Sequence, residues 1–213
     1  MPDPQWLNWA NRLRSIAQAG LTYSENVYDR ERYEMLLGLA AEIMEAQTDA
    51  DYDTIYDLID GDVGYPTPKV DVRGAIIQDG KILLVQEVLD DNRWTLPGGW
   101  ADVYDSPSEA IEREVFEEAG YHVKATRLVA VYDRDRWPHP PHPSYTYKLF
   151  FLCEIVPDAQ HRTGAAATNH ETSGIDWFSP DALPELSQGR TLSEQVARCF
   201  AHYHDPALPT EFD

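Results

Sequence analysis

The sequence predicts a mixed α+β or α/β domain preceded by a small all-helical segment. Two observations carry this. Residues 4–46 repeat apolar side chains at helical spacing, whereas from residue 70 onward short apolar runs bounded by turn residues are interrupted by only two helical patterns. Between the two regimes, Gly64-Tyr65-Pro66-Thr67-Pro68 breaks any helix. The expected organisation is therefore a helical N-terminal domain over 1–62, a linker over 63–68, a main domain over 69–205 and a C-terminal tail over 206–213.

Each element has a local reason. Trp6, Leu7, Trp9, Leu13 and Ile16 mark a helix over 4–19, with Gly20 as its stop. Tyr33, Leu36, Leu37, Ala40, Ala41 and Met44 mark a second over 27–46, capped by Ser24 or Asn26. An acidic stretch, residues 48–62, follows. Two helices of this size cannot bury both apolar faces alone, so this piece is expected to dock on the main domain or on a second copy of itself. In the main domain, 70–77 and 81–87 flank Asp79-Gly80, a hairpin signal. Further strands are expected at 94–96, 128–132, 145–155 and 175–178, with helices at 107–119 and 190–204.

Of 213 residues, 37 are Asp or Glu and 17 Lys or Arg, giving a net charge of −20. That balance argues against a nucleic-acid duplex or an anionic membrane as partner, because phosphates are repelled. The first residues lack a basic and an apolar region, so no signal peptide is expected, and no apolar stretch is long enough to span a bilayer. Cys153 and Cys199 make no disulfide framework and are expected to be reduced structural thiols of a cytoplasmic protein.

The charge is uneven. Residues 98–121 hold seven acids and one base. Ser106 as N-cap, Pro107 at the first helical position, Glu109 completing a capping box and Gly120 as a left-handed stop bound a helix there. Glu114 and Glu118 lie one turn apart on one face, with Glu117 beside them. Arg113 offsets only part of the repulsion, and the helix C-terminus disfavours anions. Clustered oxygens there suit a hard divalent cation, Mg²⁺ or Mn²⁺, bridging to a substrate phosphate, although a solvated acidic face has the same spacing.

These residues resemble the Nudix box, G-x5-E-x7-R-E-U-x-E-E-x-G-U with U apolar. Gly99 matches its start, and Arg113-Glu114-Val115-Phe116-Glu117-Glu118-Ala119-Gly120-Tyr121 its end, with Asp105 where the pattern has Glu. The resemblance implies an α/β/α sandwich with a mixed sheet and hydrolysis of a nucleoside diphosphate linked to another group. It implies Glu114 and Glu118 as metal ligands with Glu117 sharing, the Gly98 carbonyl completing the shell, and Gly99 and Asp105 supporting the loop and Arg113. Glu171, six residues before Trp177-Phe178, fits the later-loop acid of many members and is the first choice of general base, with Glu117 second. The stretches Trp6 to Ala10, Gly20 to Ser24, Tyr28 to Tyr33, Tyr132 to Arg134, Tyr147 to Glu154 and Leu183 to Ser187 are similar to a bacterial subgroup with a helical N-terminal domain. That subgroup includes CDP-choline pyrophosphatases, and its members often carry the name ADP-ribose pyrophosphatase.

Arg73 and Lys148, on expected strands, and Arg134 and His139, in the proline-rich loop 133–143, are candidate substrate contacts. Trp94 or Trp100 could stack on a base. His139 and His142 do not make a zinc site, because prolines hold them off any helix. The favoured reading is a Mg²⁺-dependent homodimeric pyrophosphohydrolase, with CDP-choline ahead of ADP-ribose. The alternative is a catalytically silent nucleotide-binding regulator of the same fold.

Overall fold

The computed structural model describes residues 4–61, 64–157, 159, 161 and 172–213. The chain divides into two units, Met1–Pro68 with Pro140–Tyr145, and Lys69–His139 with Thr146–Asp213.

The first unit is built on three helices: α1 (Gln5–Tyr23), α2 (Val27–Glu45) and α3 (Tyr52–Asp60). The Asn26 side chain caps α2 by accepting from the Tyr28 and Asp29 amides, at 2.9 and 3.3 Å. Helix α1 runs on past Gly20, contrary to the expected stop. A Cβ at that glycine would sit 2.3 Å from the Tyr33 ring, so the residue serves close approach of α2 rather than termination. Within the acidic stretch, Asp51 caps α3 by accepting from the Thr54 amide at 3.0 Å. Ile55 and Ile59, one turn apart on α3, join Leu7, Ala10, Ala17, Leu37, Ala40, Ala41 and Met44 in one core. The third helix supplies the apolar surface that two helices lack.

The second unit carries β1 (Lys69–Gln78), β2 (Lys81–Glu87), β3 (Arg93–Thr95), α4 (Pro107–Ala119), β4 (Val123–Asp133), β5 (Thr146–Ile155), β6 (Thr172–Phe178), α5 (Ser193–His204) and β7 (Glu211–Phe212). A 3-10 turn, Arg134–Arg136, leaves the end of β4. The sheet is mixed, in the order β3-β2-β1-β5-β4-β7 with β6 on β2. Strands β1 and β5 run parallel, with Asp71 opposite Lys148 and Arg73 opposite Phe150.

Alternation along β1 then fixes two faces. Val72 and Ile76 pack with Ile111 and Val115 of α4, and Gly74 lets the helix close in, since a Cβ there would lie 3.0 Å from Val115. Ala75 and Phe150 pack on the other side with Val196, Cys199 and Phe200 of α5. This is the expected α/β/α sandwich. The last residues are not a plain tail: Glu211–Phe212 adds a short parallel strand to β4, and Glu211 accepts from the Tyr132 hydroxyl at 2.6 Å. Both cysteines are buried free thiols that burial pushes up to about 12, so they are core rather than reactive groups.

Candidate active site

Helix α4 places the acidic cluster. Its N-terminus is the expected capping box on Ser106 and Glu109, and its C-terminus ends on Gly120 at φ 73°. Ala110, Ile111, Val115 and Ala119 anchor one side in the core, which fixes the phase at which Glu114, Glu117 and Glu118 emerge.

Arg113 organises the outer edge. Its guanidinium donates to Asp105 at 3.0 Å, Glu114 at 2.9 Å and Glu117 at 3.0 Å, and lies 3.2 Å from Asp102. Burial lowers its pKa, but the Asp105, Glu114 and Glu117 carboxylates outweigh that and hold it above the ordinary arginine range. Asp105 thus reaches the arginine despite being one carbon shorter than the motif acid.

The loop Pro97–Ala101 runs along β1. Gly74 N–H donates to the Pro97 carbonyl, Val72 N–H to Gly99 and Ala101 N–H to Val70, each at 2.9 Å. That seating forces Gly98 to φ 140°, and a Cβ there would stand 2.0 Å from the Val72 carbonyl oxygen, so only glycine fits. The Gly98 amide is thereby aimed at Glu118, donating to its carboxylate at 2.8 Å. A Cβ on Gly99 would lie 3.1 Å from the Glu114 carboxylate.

Glu114 and Glu118 are buried, at 9% and 4% exposure. Burial raises the pKa of both, that of Glu118 to about 8. A site that disfavours the charged form of two adjacent carboxylates favours a cation between them. Among the described residues no three His, Cys, Asp or Glu side chains close into a cage; Glu117 instead pairs outward with Arg113. Mg²⁺ suits such a site, because it binds through one or two carboxylates while keeping waters and substrate phosphates as its other ligands.

Glu171 lies outside the described residues. The residue after it, Thr172, is buried, and its hydroxyl donates to the Glu118 carbonyl at 3.2 Å.

The expected substrate contacts are less accessible than surface charges. Arg73, Lys148, Arg134 and His139 are all buried. Arg73 and Lys148 both pair with Asp71, the former at 2.9 Å. Asp71 carries no signal in spacing alone, because its partner Lys148 lies 77 positions away. Arg73 also lies in the field of Glu118 and Glu87, which joins the cationic group to the acidic one. Glu87 is buried and pairs with Arg190 at 3.1 Å. His139 differs from expectation. Its Nδ1 lies 2.6 Å from the Gln188 carbonyl and its Nε2 3.0 Å from the Gln195 amide nitrogen, so both ring nitrogens are engaged within the fold. Trp94 packs edge-on against Phe178 at 4.8 Å, whereas Trp100 stays half exposed. Among the described residues no helix is long and apolar enough to cross a membrane.

Residues 68–199 match the NUDIX domain model, and residues 4–59 match the model of a UDP-X-like, N-terminal oligomerisation domain. A Bacillus subtilis (strain 168) protein named "Putative ADP-ribose pyrophosphatase YjhB" is 44% identical over 209 residues, covering 98% of this chain and 97% of its own. A solved ADP-ribose pyrophosphatase from Streptococcus suis 89-1591 is 40% identical with a TM-score of 0.60, over 69% of this chain and 100% of that one. A solved UDP-X diphosphatase is 32% identical with a TM-score of 0.61 over the whole of both chains.

Proposed function

Because the chain belongs to the Nudix hydrolase family, we propose that it hydrolyses the diphosphate of a nucleoside diphosphate linked to a second group, with a divalent cation, Mg²⁺ or Mn²⁺, at Glu114 and Glu118. The observation that carries this is the buried Glu114–Glu118 pair, whose charged forms are disfavoured until a cation arrives. A bound divalent ion supplies charge neutralisation for the diphosphate and lowers the pKa of a water. The Gly98 amide and Arg113 hold the carboxylates, and the Gly98 carbonyl is proposed as a further oxygen ligand. Water attacks one phosphorus, its proton passes to Glu171 or, as second choice, Glu117, and the bond from that phosphorus to the bridging oxygen breaks. Arg73, Lys148 and Arg134 supply positive charge to the diphosphate.

ADP-ribose now ranks ahead of CDP-choline, on the names of two full-domain relatives. Its products would be AMP and ribose 5-phosphate; those of CDP-choline would be CMP and phosphocholine. The match to an oligomerisation domain supports a homodimer formed through the first unit. Assay of nucleoside monophosphate release with Mg²⁺ across ADP-ribose, CDP-choline and UDP-sugars tests the reading. ADP-ribose should be turned over, and Glu118→Gln should lower kcat/KM by about a hundredfold or more, as expected for loss of an electrostatic ligand. No turnover of any substrate, or full activity in the variant, would refute it.

A further inference from the structure

The face of the sheet under α5 is apolar along most of its length, through Ala75, Phe150 and Ala130. At one end that pattern breaks. Asp71 and Arg73, two positions apart on β1 and so on the same face, stand beside Lys148, which the parallel register sets directly opposite Asp71. All three are buried. One carboxylate oxygen of Asp71 accepts from Arg73 Nε at 2.9 Å, and the other accepts from Lys148 Nζ. The far side of the Arg73 guanidinium donates to the Leu96 carbonyl at 3.1 Å, so both ends of its planar group are fixed.

Stability alone is a weak reason for such an arrangement, since buried ion pairs seldom outperform apolar residues of similar volume. A single carboxylate, Asp71, bonds both Arg73 and Lys148, while Arg134, paired with Asp135 at 3.7 Å, is buried close enough for its field to act on Lys148. The Leu96 carbonyl that Arg73 holds lies two residues before Gly98, whose amide donates to Glu118, so the cationic group sits beside the loop that reaches the carboxylates of α4.

We propose that Asp71 is a positioning residue that holds Arg73 and Lys148 as a paired cationic grip for the diphosphate of the substrate. Asp71 does not itself meet the substrate. It sets the rotamers of two long side chains before binding, which lowers the ordering cost that each would otherwise incur. Burial pulls Lys148 down to about 8, and the Asp71 carboxylate opposes that fall, so the same contact keeps the ammonium charged near neutrality. The inference rests on the diphosphate hydrolase reading above.

The test uses the full chain and the variants Asp71→Asn, Lys148→Gln and the double substitution, each checked by circular dichroism and melting temperature. Steady-state kinetics on ADP-ribose with Mg²⁺ are paired with calorimetry of ADP binding. For Asp71→Asn we expect KM about tenfold higher, kcat changed less than about threefold, and ADP bound about tenfold more weakly, the scale of one charge-assisted hydrogen bond. Asp71→Glu should recover part of the loss. The double variant should match Asp71→Asn rather than multiply the two single effects, because one residue acts through the other. If Asp71→Asn does not fold, the charge-balanced double variant decides: binding about threefold or more weaker than in Lys148→Gln supports release of Arg73, and equal binding overturns the proposal. Wild-type KM and ADP affinity in folded Asp71→Asn would also overturn it. If the wild type turns over no substrate, the reaction reading fails, while the ADP arm still reads the grip. No ADP binding by the wild type would refute both.

Discussion

His139 shows how a residue of the expected binding loop acts through the fold. The Gln188 carbonyl can only accept, so Nδ1 carries the proton, and Nε2 accepts from Gln195, whose own carbonyl is fixed by the Leu192 amide at 3.0 Å. Burial lowers the pKa from 6.5 to about 4, with Lys148 and Arg134 adding to the fall and the Gln188 carbonyl opposing it. As pH falls below 6.5 the unfolded chain takes up a proton that the folded chain refuses, so stability drops until about pH 4 and then levels. The loss is on the order of 3 kcal/mol. Urea unfolding at intervals from pH 7 to 4 should show this component in the wild type and not in His139→Asn. Parallel curves for the two proteins would contradict the buried neutral tautomer. The residue types at the site were legible in the sequence because Glu114, Glu117, Glu118 and Arg113 are close along one helix. Asp71 and the partners of His139 were not, because strand register and a 49- or 56-residue separation join them only after folding.

At the scale of the element, α4 is defined by chemistry at its own ends. Ser106 Oγ accepts from the Glu109 amide at 3.3 Å, and the Glu109 carboxylate accepts from the Ser106 amide at 2.9 Å. Ser106→Ala should cost about 1 kcal/mol of stability, the usual worth of an N-cap. Glu114 and Glu118 are two to three turns further on, and kcat should change by less than about twofold. Chemical denaturation with parallel kinetics checks both, and a large fall in kcat at unchanged stability would mean that the cap acts on the site directly. Caps of this kind are local, which is why both ends of α4 were readable in advance. Gly20 was not readable, because a glycine marks either a chain stop or a close approach, and only the Tyr33 ring above it decides. Helix α3 was not readable because Ile55, Tyr56, Leu58 and Ile59 fall within one short acidic stretch, with only the two isoleucines on the buried side, and β7 was not because two residues carry no period.

For the whole molecule, the net charge of −20 and the first unit's apolar surface pull in opposite directions. Trp9, Ile16 and Tyr23 recur every seven residues along α1 and are exposed, as are Tyr28, Met35 and Leu39 on α2, while the other sides of both helices are buried in the unit's core. A sevenfold apolar repeat is the pattern that seats one helix on another, and residues 4–59 match the model of an N-terminal oligomerisation domain. Two copies joined through these stripes bring together acidic units, 13 Asp and Glu against 4 Lys and Arg over residues 1–62 in each. Repulsion between them acts over about 10 Å at 0.1 M salt and about 3 Å at 1 M. Association by apolar contact against like charge therefore tightens as salt rises, whereas association by ion pairs loosens. Sedimentation velocity at micromolar protein should give a dimer whose dissociation constant falls between low and high salt. Ile16→Ser combined with Met35→Ser leaves the charge unchanged and should give a monomer that keeps its circular dichroism spectrum. A wild-type monomer at every salt concentration would remove the dimer, and a dimer that dissociates as salt increases would place its contacts on charged groups instead of these stripes.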